Sequence, residues 1–236
     1  FNAIGKAAFP EGHPYSWSVI GSMADLNAAT LDDVKEWFET YYGPTNAVIA
    51  LAGDIDLETA KIKVQEYFGD IQPGPPLTKP KKWIAKRTEQ TREVMEDNVP
   101  QTRIYKVWNV PEDGTAEAQA LDLASSTLAG SKNSPLYQEL VYKTGLATGV
   151  SAFYYGREIA GLFIISATVA PEQDVNEVEN VIDATLEKYL KTGPNSKLLK
   201  NTKTSTIAGL TNGLQRIGGF GGKSDILATY QTLYGD

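Results

Sequence analysis

The chain has 236 residues, a formal net charge of −7, 42% hydrophobic and 22% charged residues. That balance excludes a disordered, collagen-like or fibrous chain, and the acidic excess lacks the basic footprint of a general nucleic-acid binder. There is no cysteine and one histidine, His13, so disulfides, thiolate metal sites, a Cys nucleophile and a zinc site of several imidazoles are beyond this chain alone.

Taken in chain order, residues 1–12 lack the basic and apolar regions of a signal peptide and have no initiator Met; they read as an internal piece of something longer. Residues 14–29 read as loop. Thr30 then caps a helix with Asp32 and Asp33 in its first turn. Leu31, Val34, Trp37, Phe38, Tyr41 and Tyr42 form its apolar face, and Gly43-Pro44 stops it. The run from Ala47 to Gly53 predicts a buried strand, and a second helix follows over about 57–68. Residues 69–83 hold four prolines and two glycines, which disfavours helix and ladder alike. The domain boundary is expected there, with 73–83 as linker.

Beyond it, 86–98 and 101–110 predict a pair of strands, and Pro111–Gly114 a turn. Helices are expected over Thr115–Leu128 and about Ser134–Lys143. Strands are expected over about 148–155 and 161–169, with Phe163, Ile165, Ala167 and Val169 on one face. A long helix over about 172–191 ends at Gly193-Pro194. The remainder, 196–235, is mostly helical with a glycine-rich break at Gly218–Gly222. Strand, acidic turn and amphipathic helix recur at 48–71 and 164–193, an echo that makes the two sides of the linker related units.

No group of residues makes a convincing catalytic constellation. His13, in Gly12-His13-Pro14-Tyr15, has no second histidine to help it and reads as the organiser of a turn. Gly222-Lys223-Ser224 imitates the end of a phosphate loop, but the opening glycine falls on Ile217 and the preceding segment is helical. Glu172 and Asp174 read as helix-capping acids, not metal ligands. Trp108, Tyr154 and Tyr155 read as packing residues, and Tyr41-Tyr42 as packing or partner contacts. No apolar run approaches the roughly 18 residues of a membrane span.

The order of landmarks resembles a known family. His13-Pro14-Tyr15 leads to Val19-Ile20-Gly21-Ser22, then to Leu31–Phe38, Tyr41–Asn46 and Ala50–Asp56. Much later come Leu136–Leu140 and Gly145-Leu146-Ala147. This pattern is similar to the insulinase/pitrilysin family of zinc metallopeptidases, which includes the mitochondrial processing peptidase. The resemblance covers nearly the whole chain, most specifically from His13 to Asp56.

The resemblance implies an α+β fold with a mostly antiparallel sheet packed by helices. It implies that 1–72 is the C-terminal part of a first α/β domain and that 84–236 is a second one lacking its last helix and strand. It implies a zinc peptidase whose two halves close around a peptide, with this chain as a non-catalytic wall segment, inactive and zinc-free by itself. The family's HxxEH motif, which supplies the metal ligands and the water-activating Glu, has no counterpart in this chain and is expected upstream. The family also holds substrate with an Arg and a Tyr seven positions apart, and the aligned positions in this chain are Val141 and Thr148. Catalytic and metal residues are therefore expected to be absent, and substrate-binding residues stay unassigned. The alternative is an inactive structural or partner subunit of the same family. Expected partners are a peptide and the opposite half, on the same or a second chain, with no nucleic acid and no membrane span. Bacterial periplasm and cytoplasm both stay open.

Overall fold

The computed structural model describes residues 2–235 and divides into two compact units. One holds the chain up to Ser18 together with Lys81–Thr206; the other holds Val19–Pro80 together with the residues from Ile207 onward.

The first unit is built on an antiparallel sheet of β1 (Arg103–Val110), β2 (Ala147–Gly156) and β3 (Gly161–Val169), in the order β1-β3-β2. β3 is central because it is apolar on both faces, and all but two of its nine residues are buried. Phe163 pairs in register with Trp108 on β1 and Tyr154 on β2, and the alternation puts Phe163, Ile165, Ala167 and Val169 on one side. That side packs on α5 (Ala116–Ala129), α6 (Pro135–Tyr137) with the π-helix Gln138–Lys143, and α7 (Val175–Thr192). Leu128, Leu136, Leu140, Val178 and Ile182 fill the layer between. Thr127 on α5 is fully buried and meets the Tyr189 hydroxyl on α7 at 2.5 Å, which locks the two helices together. The opposite sheet face carries Leu162 and Ile164 and is covered at one end by α1 (Asn2–Ala8), Phe9 and Ala85. The α+β architecture expected from the sequence is present, with a small antiparallel sheet.

Caps explain where the helices start. Thr115 accepts from the Ala118 N–H at the head of α5, and Asp174 accepts from the Asn176 N–H at the head of α7. Asp174 is thus the cap expected from its position, whereas Glu172 does not cap: it sits in the preceding turn at φ +64°.

The second unit contains α2 (Met23–Ala28), α3 (Leu31–Tyr41), α4 (Leu57–Phe68) and α9 (Lys223–Tyr234); α8 (Ser196–Gly213) begins in the first unit and ends in the second. Thr30 and Asp33 form a reciprocal capping box on α3, and Asp56 caps α4. Gly43 lies where a Cβ would come within 2.3 Å of the Gly74 backbone, so only glycine lets these segments approach. The glycine-rich break precedes α9, and Asp225 accepts from the Gly221 N–H.

Three expectations need correction. Residues 14–29 are not all loop, because Ser22 caps the short α2. Ala47–Gly53 and 86–98 are not strands, and Val48, Ile49 and Leu51 are exposed. Their residue types favour strands, but a strand forms only against a partner that takes up its backbone groups; none is present among the described residues. The apolar face of α3 is exposed for the same reason, with Trp37 57% and Phe38 53% accessible.

Candidate functional site

The positions that the family resemblance makes interesting lie on one continuous turn. Ser134 is fully buried and its hydroxyl accepts from the Ser131 N–H, closing the loop that Pro135 converts into helix. The helix then widens into the six-residue π-helix Gln138–Lys143, an unusual segment often found at functional sites. Leu136 and Leu140 anchor it in the core. Thr144 ends it, donating to the Glu139 carbonyl at 2.6 Å. Gly145, at φ +67°, turns the chain into β2. Thr148 follows at a register irregularity between Ala147 and Gly149.

Val141 is half-buried against the main core and has no donor to offer. Thr148 is exposed, and its hydroxyl reaches the Thr168 carbonyl at 3.5 Å. At these two positions the resemblance leads to an expected Arg and Tyr; Val141 has no polar group and Thr148 only a short hydroxyl. A groove of about 680 Å³ lies between α6, the π-helix and the C-terminal half of α7, lined by Glu139, Lys188, Tyr189 and Asn195 among others. Glu139 is already paired with Lys143. No nucleophile and base meet there.

Charged side chains elsewhere in the unit serve structure. Lys106 on β1 lies between Glu179 and Asp183 of α7, and Arg92 reaches Glu179 from the segment before β1. The Arg92 hydrogen bond, helped by Lys106, holds the Glu179 carboxyl below the usual carboxylate range against the opposing effect of burial. Glu112 is held low mainly by its hydrogen bond with Lys82. Tyr154 donates to the Pro111 carbonyl at 2.9 Å, and burial with Asp113 and Glu112 nearby pushes its phenol up to about 12.

These residues do not fit a zinc ion. No three His, Cys, Asp or Glu side chains come together in a metal-holding group among the described residues. His13 is fully buried, and both ring nitrogens are committed to backbone groups. No zinc-dependent step is therefore assigned to residues of this chain. No helix among the described residues is long and apolar enough to cross a membrane.

A three-stranded antiparallel sheet packed under α5–α7 defines a small α+β domain. Residues 28–206 match the family model described as the Peptidase M16 inactive domain, and the chain belongs to that family. It is 29% identical over 186 residues to the zinc protease PqqE of Helicobacter pylori, covering 76% of this chain and 41% of that protein. A crystallised protease from Helicobacter pylori superposes with a TM-score of 0.79 at 26% identity, covering 94% of this chain and 54% of that one. The crystallised M16 inactive domain from Pseudomonas fluorescens shares the fold at a TM-score of 0.73 and 23% identity, over 87% of this chain and 49% of that one. The chain spans less than half the length of the curated relatives it matches.

Proposed function

We propose that this chain is a non-catalytic wall segment of a zinc metallopeptidase that encloses and cleaves peptides. The observation that carries the reading is the match of residues 28–206 to the M16 inactive-domain model; it is in keeping with Val141 and Thr148 standing where the resemblance expects an Arg and a Tyr. Relatives named as zinc proteases support a zinc-bearing parent. The HxxEH motif then lies upstream of these 236 residues, in the same half of the enzyme. The substrate-holding Arg and Tyr come from the opposite half, whether on this chain or on a second subunit. In this reading residues 1–72 end the zinc-bearing domain, although the stretch up to Ser18 packs on the sheet of the following unit, 73–83 link it onward, and 84–236 form the second domain.

The test is made on the longer protein. HxxEH in its sequence, and cleavage of an unstructured quenched-fluorescence peptide that a chelator stops and zinc restores, is the expected result. A parent without that motif and without cleavage overturns the reading in favour of an inactive structural or partner subunit.

A further inference from the structure

The residues of β3 that are not buried are Ser166 and Thr168, and they mark where the sheet opens to water. Both stand on the face opposite α5–α7, because Phe163, Ile165, Ala167 and Val169 take the helix side of the alternating strand. The register builds that outer face in rows across the three strands. Val107, Ile164 and Phe153 form an apolar row, packed against Ala8 and Phe9. The next row is Tyr105, Ser166 and Ser151, and the one after it is Arg103, Thr168 and Gly149. The change of residue type is abrupt: apolar strand formers give way to hydroxyls, a guanidinium and a glycine. Polar residues on one face of an antiparallel sheet belong to a face open to water, not to one awaiting an apolar cover. Arg103, Tyr105 and Ser151 are exposed, and no atom lies within 4 Å of where a Cβ on Gly149 would stand.

We propose that this open end of the sheet face holds an acidic side chain of the enclosed peptide, an inference that rests on the function proposed above. The Arg103 guanidinium donates to the Tyr105 hydroxyl at 3.3 Å, which leaves its other N–H groups for a ligand. No carboxylate among the described residues is ion-paired with it, although the chain carries a net charge of −7. The Ser151, Ser166 and Thr168 hydroxyls likewise make no hydrogen bond among the described residues. A carboxylate matches the guanidinium fork with both its oxygens. Side chains opposite one another on neighbouring strands stand about 5 Å apart, so the Thr168 and Ser166 hydroxyls are in reach of its remaining lone pairs. The missing side chain at Gly149 leaves room beside Thr168 for the peptide backbone. A neutral or basic peptide side chain would leave the guanidinium without its counter-charge.

The test adds short unstructured peptides, capped at both ends and identical except for one central Glu or Gln, to the full chain. The amide resonances of Ser151, Ser166 and Thr168 report binding. The net charge of −7 repels the Glu peptide, so long-range electrostatics alone favours the Gln peptide. A local site reverses that order: the Glu peptide is expected to bind about fivefold more tightly, with shifts centred on the two polar rows. Arg103→Met keeps the apolar stem and removes the fork, and is expected to abolish the preference. Equal affinities, tighter binding of the Gln peptide, shifts that map elsewhere or no shift with either peptide overturn the proposal, as does a Glu preference that survives Arg103→Met. If that variant does not fold, the order of the two peptides on the natural chain decides alone. A Gln peptide with a free C-terminal carboxylate that binds as tightly as the Glu peptide at the same resonances also overturns it, because the site then takes a chain end. Cleavage of both peptides by the longer protein separates this proposal from the reading it rests on. Cleavage with no Glu preference in binding strikes this site alone, whereas no cleavage of either peptide strikes the wall reading.

Discussion

At the scale of single residues, burial decides what each side chain is for. Leu136 and Leu140 have no exposed surface and lie at the centre of the layer between helices and sheet. Truncating Leu140 to Ala should cost about 2–5 kcal/mol, measurable as a lower urea midpoint. Glu179 makes a pH prediction. Its carboxyl is held low in the folded state by Arg92 and Lys106, so protonation favours the unfolded chain. The stability it contributes is full above the ordinary carboxylate range and is lost as pH falls through its native titration. Glu179→Gln should therefore be destabilised by about 2 kcal/mol at neutral pH, with the gap to the natural chain closing toward acid in urea titrations. The role of His13 was half legible in the sequence. Its neighbours Gly12 and Pro14 announced a turn, and it does cap one. Its second partner, Trp83, lies 70 positions away, and no local pattern reveals a bond of that range.

At the scale of elements, the helices were readable because their signals are local. Thr30, Asp56, Thr115 and Asp174 each cap within three residues, and all four caps form. Strands depend on partners. β2 and β3 were readable because they are joined by a short turn and pair with each other. Residues 47–53 and 86–98 have strand-like composition, yet no neighbouring strand among the described residues receives them. Amides in 47–52 should thus exchange orders of magnitude faster than those of β3, and slow exchange there would refute the assignment. The π-helix left no signal, since Gln138–Lys143 has ordinary helix composition. Its terminator did: Gly145 sits at φ +67°, and Gly145→Ala should cost about 1 kcal/mol in thermal or urea unfolding.

At the scale of the whole molecule, the resemblance directed attention to the turn from Pro135 to Thr148. Val141 and Thr148 offer neither a guanidinium nor a phenol, and no zinc ligand set is assembled among the described residues. The account therefore rests on the claim that this chain carries the wall and not the metal. The direct measurement is the zinc content of the purified chain after dialysis against zinc-free buffer, together with its cleavage of an unstructured peptide. The account predicts zinc far below one ion per chain and no cleavage. One zinc retained per chain, with peptide cleavage that a chelator abolishes, would contradict it.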